Sequence, residues 1–111
     1  MLKLIAPAFA ASLVAAPGLA ATTCNFNVEC YMTEACAGSG WEMTVDLAAG
    51  KLSSAAEDLD ILHVAEGGAQ IVAQGAGSLN LLSIGETLSL FTTHIAGEPT
   101  AITYVGECSA Q

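Results

Sequence analysis

The sequence predicts an all-β fold, a small antiparallel β-barrel or sandwich of seven to eight short strands that is tied by disulfides. Three observations lead to this prediction. Apolar and polar residues alternate with a period of two through several segments, which is typical of half-buried strands. Glycine-containing turns separate these segments at spacings of roughly 8–12 residues, as in sandwiches and barrels. The four cysteines lie near the start and the end of the chain, where disulfides could join the first strand to the last.

Residues 1–21 have the composition of a secretory signal peptide. Lys3 precedes an apolar stretch over residues 4–14, and small residues follow as far as Ala21. The apolar stretch has roughly eleven residues, whereas a membrane-spanning helix needs about 20, so no membrane span is expected. The residues before Cys24 do not match a lipoprotein cleavage site, so no lipid anchor is expected. We therefore expect a periplasmic or secreted chain in which residues 22–111 form a single β domain.

The charge of the mature chain limits its partners. Removal of the signal would leave eleven carboxylates and one cation, Lys51, and subtracting eleven from one gives a net charge of −10 with neutral histidines. No basic patch can form, so nucleic acid and anionic membrane surfaces are not expected as partners. A cationic protein is the partner that this charge favours, and an acidic surface that serves only solubility is the alternative. We expect a monomer.

The alternating segments predict the strands in chain order. The first strand has one face formed by Cys24, Phe26, Val28 and Cys30. The second has one face formed by Trp41, Met43, Val45 and Leu47. A short strand over residues 52–55 and a fourth over 58–63 follow, and in the fourth Leu59, Ile61 and His63 share a face. A helix over residues 53–64, capped by Ser53 or Ser54, is the alternative.

In the second half of the chain, glycine-containing turns separate the predicted strands. Further strands are predicted over residues 69–74, 78–84 and 87–95, before a turn at 96–100. The strand over 87–95 has one face formed by Leu88, Leu90, Thr92 and His94. The last strand has one face formed by Ile102, Tyr104 and Cys108.

The cysteines are predicted to form two disulfides, as expected for a small domain in an oxidising compartment. Three pairings are possible. We favour Cys24–Cys108 with Cys30–Cys36, because the five residues between Cys30 and Cys36 are enough to form a local loop. Closing the long loop stabilises the fold by about 4–5 kcal/mol in the chain-entropy model. The spacing is not that of a zinc ribbon, and no Cys-x-x-Cys redox pair occurs.

Other residue clusters have a structural and a functional interpretation. His63 and His94 could bind a metal with Met32, Met43 or a carboxylate, or they could be core or rim histidines. The carboxylates over residues 57–60 could form a calcium site, but they lack the glycine and distal glutamate of a calcium loop and instead suggest a solvated acidic edge.

Two glycine-rich segments superficially resemble catalytic or phosphate-binding loops. They are residues 38–40 and residues 75–78, and both are interpreted as turns, because neither has the sequence of a nucleophile elbow or a P-loop. No catalytic, cofactor-binding or metal-binding residue is assigned, and no cofactor is expected. The chain is not predicted to be an enzyme.

The chain resembles two groups of known proteins in the spacing of its cysteines and in its predicted fold. The spacing Cys24-x5-Cys30-x5-Cys36, with the terminal segment from Thr93 to Cys108, resembles small exported proteins of alphaproteobacteria whose function is unassigned. More loosely, the chain is similar to the periplasmic and membrane-bound inhibitors of c-type lysozyme, which are small, disulfide-tied, eight-stranded β-barrels. In that family a loop containing Ser and Gly enters the lysozyme cleft. The resemblance implies a binding loop that contains Gly75, Gly77 and Ser78.

Three functions remain open on the sequence alone. The first is a non-catalytic periplasmic protein that acts by surface binding or in a structural role. The second is an inhibitor of a cationic cell-wall hydrolase, for which an acidic charge would speed association. The third is a carrier of a small ligand or metal that uses the mouth of the barrel.

Overall fold

The computed structural model describes residues 21–110, and these form a closed antiparallel barrel of eight strands. The strands are β1 (Thr22–Tyr31), β2 (Ala37–Asp46), β3 (Lys51–Ser53), β4 (Asp58–Ala65), β5 (Gln70–Gly75), β6 (Ser78–Ser83), β7 (Ser89–Ile95) and β8 (Thr100–Ala110). Each strand pairs with the next in sequence, and β8 pairs with β1. The all-β prediction is confirmed, and the chain adopts the barrel. Residues 1–20 of the predicted signal peptide lie outside the described residues.

The barrel has two distinct ends, because consecutive strands run in opposite directions. One end carries the turns at residues 32–36, 54–57, 76–77 and 96–99, and we call it the mouth. The other end carries the remaining turns together with Thr22 and Ala110, and we call it the base. Within residues 21–110 there is no helix with the length and apolarity needed to cross a bilayer.

The core fills the interior nearer the base. Alternate residues of the strands point inward, and the buried apolar set is Cys24, Phe26, Met43, Val45, Leu52, Leu59, Ile71, Ala73, Leu82 and Phe91. The face predicted for β2 is confirmed, because Met43 and Val45 are buried while Trp41 and Leu47 pack against the core. Each of the large side chains contributes roughly 1.5–3 kcal/mol when it is fully buried.

A β-bulge in β1 changes which of its residues point into the barrel. Phe26 is paired with Gly106 of β8, and Val28 is paired with the adjacent β8 residue, so β1 has one extra residue between them. Because side chains alternate along a strand, the extra residue exchanges the inward and outward phases beyond it. Glu29 therefore shares the inner face with Tyr104, its partner on β8.

The prediction that Cys24, Phe26, Val28 and Cys30 share one face is wrong beyond this bulge. Cys24 and Phe26 are buried in the interior. Val28 and Cys30 are in the outward phase, and Cys30 lies opposite Thr103. A period of two in the sequence assumes an uninterrupted strand, so it assigns the wrong face to every residue that follows an extra one.

The two strands approach each other closely at the bulge. A Cβ atom at Gly106 would lie 1.9 Å from the carbonyl oxygen of Asn25 and 2.6 Å from the Cα atom of Phe26. These contacts are with backbone, which cannot rotate away as a side chain could. Glycine at this position therefore permits the close approach of β1 and β8.

A second bulge lies in β4. Leu59 is buried and Ile61 packs against the core, as predicted. The pairing with β5 shifts between Ile61 and His63, so His63 lies opposite Val72 on the outer face and is exposed. The prediction that His63 shares the face of Leu59 and Ile61 is wrong. The helical alternative over residues 53–64 is also wrong, because tertiary pairing makes most of this segment a turn and a strand.

The burial of individual residues shows which faces of β7 and β8 point into the barrel. The predicted face of β7 that carries Leu90 and His94 is the outer one, since both residues are exposed, whereas Phe91 is buried. In β8, Tyr104 and Cys108 both pack against the core, as their shared predicted face requires.

Of the two glycine-rich segments, one forms a turn and the other does not. Residues 76–77 connect β5 to β6, and Gly77 has a φ of 79°, a value that glycine adopts without strain. Gly38 and Gly40 instead lie within β2, so their interpretation as turn glycines is wrong. The pairing of β2 with β1 shifts beside them, and a β-bulge explains glycine there.

The favoured disulfide pairing is confirmed. Cys24 and Cys108 are partners on β1 and β8, and their disulfide crosses the line along which the sheet closes. Cys30 and Cys36 are joined across the connection between β1 and β2, at the mouth. Both disulfides fit an oxidising environment.

Candidate functional site at the barrel mouth

The mouth opens into a cavity of about 270 Å³. Its apolar lining comes from Trp41, Leu59, Phe91, Ile95, Ile102 and Tyr104. Its polar lining comes from Ser54, Glu57, Ser78, Asn80, Thr93 and Tyr104. Apolar walls with a few polar groups are typical of small-molecule sites, and the volume is slightly below the roughly 300–1,000 Å³ of common ligand pockets. The cavity is therefore suited to a small organic molecule.

Four aromatic rings meet at the inner end of this cavity. The centroids of Trp41 and Tyr104 are 4.6 Å apart, and those of Trp41 and Phe91 are 5.3 Å apart. Phe26 lies beneath them, with its centroid 5.8 Å from that of Trp41. The rings are tilted against one another, an arrangement that aromatic pairs favour. Trp41, Phe91 and Tyr104 line the cavity, so a ligand there would contact aromatic surface.

The amide of Asn80 is fixed in the cavity wall. The side chain is buried, and its nitrogen donates hydrogen bonds to the carbonyl oxygen of Ala73, at 3.2 Å, and to Ser78 Oγ, at 3.1 Å. These two bonds use both N–H groups of the amide. The group that Asn80 offers a ligand is therefore its carbonyl oxygen, which is an acceptor.

A turn holds Glu57 at the rim of the cavity. Ser54 Oγ accepts hydrogen bonds from the backbone N–H groups of Ala56 and Glu57, and the Ser54 N–H donates to the Glu57 carbonyl at 3.0 Å. This network is the local turn chemistry that serine favours. The Glu57 carboxylate extends over Gly75, where an added Cβ would lie 3.0 Å from Oε1. A negative charge is thereby placed beside the opening.

A second carboxylate lies close to the aromatic rings. Glu29 is turned to the inner face by the β1 bulge and is paired with Tyr104. Burial raises the pKa of Tyr104, and the negative charge of Glu29 raises it further. The phenol therefore stays neutral at physiological pH and can act as a hydrogen-bond donor or acceptor.

The predicted binding loop lies at the rim. Ser78 lines the cavity, and Gly75, Gly77 and Ser78 also line a shallower groove of about 520 Å³ on the outside of the barrel, which reaches His94. The carbonyl of Gly77 accepts a hydrogen bond from the N–H of Ala96 at 2.8 Å, which connects this turn to the turn between β7 and β8. The loop is thus supported by its neighbour.

The histidines and methionines named as possible metal ligands are not brought together. His63 is on β4 and His94 on β7, with two strands between them, and both are exposed on the outer face. Met43 is buried in the core, whereas Met32 is exposed and its sulfur accepts the N–H of Ala101. In the part of the chain that the structure describes, no three His, Cys, Asp or Glu side chains are grouped to hold a metal ion.

The acidic segment over residues 57–60 is divided between two locations. Glu57 is at the rim, while Asp60 lies on the outer face, where its carboxylate forms an ion pair with Lys51 of β3. The hydrogen bond from Lys51 to Asp60, together with the charge of Asp60, raises the pKa of the lysine. Lys51 is the one lysine or arginine in residues 21–110, so the mouth carboxylates have no such cation as a partner.

Sequence reasoning named the barrel mouth as a possible ligand site but missed the aromatic residues that line its cavity. Trp41, Phe91 and Tyr104 come from β2, β7 and β8, and only the register of the closed sheet brings them together. One signal was available, because the favoured Cys24–Cys108 disulfide makes β1 and β8 neighbours and so places Phe26 near Tyr104. Comparison of the chain with protein-family models, curated proteins and solved structures finds no match.

Proposed function

We propose that this chain is a non-catalytic binding protein of the periplasm or of the secreted fraction, and that it binds a small organic ligand in the mouth of its barrel. The observation that supports the proposal most strongly is the cavity of about 270 Å³ with aromatic residues at its inner end. The two disulfides are consistent with an oxidising compartment. The protein would act as a monomer, since each barrel contains a complete cavity.

The polar residues of the cavity suit binding rather than covalent chemistry. The side chains of Ser54 and Asn80 form hydrogen bonds that maintain the wall. Neither histidine lines the cavity, so no imidazole is available there to activate a serine or threonine hydroxyl. The structural role of these polar groups supports a protein that holds its ligand without altering it.

A matched pair of threonine variants tests the location of the site. Thr93 lines the cavity, and its neighbour on β7, Thr92, is in the outward phase opposite Leu81. N-phenyl-1-naphthylamine, an uncharged dye that fluoresces in apolar sites, should bind the wild-type protein saturably. Thr93→Phe should abolish this binding by filling the cavity, whereas Thr92→Phe should retain it. Saturable binding that survives in both variants would contradict the proposal, as would no binding by folded wild-type protein.

A second candidate, inhibition of a cationic cell-wall hydrolase, is favoured by one specific observation. The supported turn with Gly75, Gly77 and Ser78 lies at the rim beside the Glu57 carboxylate, and this is the loop that the lysozyme-inhibitor resemblance implies. A stoichiometric amount of protein should then reduce the activity of a c-type lysozyme, with an association rate that falls as salt is raised. Full lysozyme activity at equimolar protein in low salt would eliminate this candidate.

A further inference from the structure

We propose that the ligand of the mouth cavity is a small organic cation, such as an alkylammonium group, held against the aromatic rings. This inference rests on the proposed function, because it specifies the ligand class of the same cavity. Three features of the mouth lead to it: the aromatic faces, the hydrogen-bond acceptors and the two carboxylates.

The aromatic rings provide a surface that attracts positive charge. Trp41 and Tyr104, whose centroids are 4.6 Å apart, both line the cavity, as does Phe91. The face of an aromatic ring carries a negative partial charge, and tryptophan gives the strongest cation–π attraction of the natural side chains. Groups of aromatic rings are a common recognition site for quaternary ammonium ions.

The fixed polar groups favour a ligand that is positive or donates hydrogen bonds. The Asn80 amide has both N–H groups bonded to the wall, so it presents an acceptor. The carboxylate of Glu57 lies at the rim, and Glu29, which does not itself line the cavity, is paired with the lining residue Tyr104 on the inner face. An anionic ligand would be repelled by both carboxylates, and no lysine, arginine or histidine is among the residues that line the cavity.

An organic cation fits this group of residues better than a hard metal ion does. A calcium ion needs six to eight oxygen ligands at short distances, whereas the cavity lining supplies one carboxylate at its rim and mainly apolar surface within. An alkylammonium ion is bulky and weakly hydrated, so it can fill an apolar cavity while its charge contacts the rings. The charge of Glu57 would remain close to the opening through which the ligand enters.

Isosteric probes separate the effect of charge from the effect of shape. Choline has a trimethylammonium group, and 3,3-dimethylbutan-1-ol and 3,3-dimethylbutanoate have a tert-butyl group of nearly the same shape. The three compounds are positive, neutral and negative, respectively. Trp41 is the single tryptophan of the chain and lines the cavity, so its fluorescence reports binding directly. Choline should bind about tenfold more tightly than the alcohol, which is the size of effect that a cation–π contact provides. The carboxylate should bind more weakly than either.

Charge variants identify which groups produce the preference. Glu57→Gln and Glu29→Gln should each reduce the preference for choline over the alcohol at least threefold. Glu107→Gln is the matched control, because Glu107 is exposed on β8 in the outward phase opposite Asn25, and its change removes the same charge. The control should leave the preference unchanged. Folding is checked by far-ultraviolet circular dichroism and thermal unfolding of each variant.

The outcomes distinguish this inference from the proposed function. If the alcohol binds as tightly as choline and Thr93→Phe abolishes its binding, the cationic ligand is refuted and the cavity remains a binding site. An equal loss of preference in Glu107→Gln would also refute it, because the preference would then come from net charge. If neither the three probes nor the naphthylamine dye bind to the folded protein, both proposals are refuted.

Discussion

At the scale of single residues, the surroundings of two positions lead to testable predictions. Gly106 lies where a Cβ atom would overlap the backbone of β1, and Tyr104 lies between the core, the cavity and the Glu29 carboxylate. The first contact lets the barrel close beside a bulge. At Tyr104, the negative charge of Glu29 affects the pKa of the phenol, which can be measured by titration. Each leads to a measurable expectation.

Replacing Gly106 with alanine should destabilise the barrel strongly. The added Cβ would lie 1.9 Å from a carbonyl oxygen, so β1 and β8 must separate, at a cost of about 3 kcal/mol. Gly40 is the matched control, because a Cβ there meets no atom within 4 Å and the backbone φ is not in the left-handed region. Gly40→Ala should leave the free energy of unfolding within about 1 kcal/mol of wild type. Equal urea midpoints for the two variants would contradict this account of the close approach.

The Tyr104 phenol should titrate above its usual pKa of about 10. Burial raises its pKa first, and the charge of Glu29 raises it further, so the folded chain retains this proton where the unfolded chain loses it. The stability from this group is complete below about pH 10 and is lost as pH rises through the folded-state pKa. In a Tyr31→Phe background Tyr104 is the remaining tyrosine, and its absorbance can be followed near 295 nm.

The contribution of Glu29 is tested in the same background. Adding Glu29→Gln should move the absorbance midpoint downwards, and adding Glu107→Gln should leave it in place. A Tyr104 midpoint at or below 10 in the folded protein would show that burial and Glu29 do not act on the phenol as described. An identical shift in both glutamine variants would indicate an effect of net charge alone.

At the scale of the elements, one disulfide joins β1 to β8, and the other joins β1 to the connection that precedes β2. Cys24–Cys108 closes a loop with a sequence separation of 84, and Cys30–Cys36 closes one with a separation of 6. In the chain-entropy model the long loop contributes about 4–5 kcal/mol and the short one about 2 kcal/mol. Replacing Cys24 and Cys108 with serine should therefore lower the free energy of unfolding about twice as much as replacing Cys30 and Cys36. Equal losses in urea unfolding would contradict this order.

The strands also mark the limit of prediction from the sequence. The alternation in β2 predicts its buried face correctly, because that face continues from Trp41 to Val45 without an extra residue. The alternation in β1 fails after Phe26, since the bulge depends on the close approach of Gly106 from the other end of the chain. Local pattern specifies where strands form, whereas tertiary pairing decides where their register shifts.

At the scale of the whole molecule, closure of the sheet creates the candidate site. The core fills the barrel towards the base, and the cavity occupies the mouth, where Trp41, Phe91 and Tyr104 converge from separate strands. The sequence predicts a barrel or a sandwich and favours the observed disulfide pairing, because the alternation of apolar residues and the positions of the cysteines can be read directly from it. It suggests the barrel mouth as a ligand site but does not identify the residues that line the cavity, because these come from strands that are distant in sequence.

The measurement that tests the central claim most directly is an NMR titration of the labelled protein with 3,3-dimethylbutan-1-ol. If the mouth is the binding site, the tert-butyl protons should give intermolecular nuclear Overhauser effects to the Trp41 indole, the Tyr104 ring and the Ile102 methyl groups, which line the cavity. Contacts confined to Leu81 and Leu90, which are exposed on the outer face, would place binding on the outside of the barrel and contradict the account.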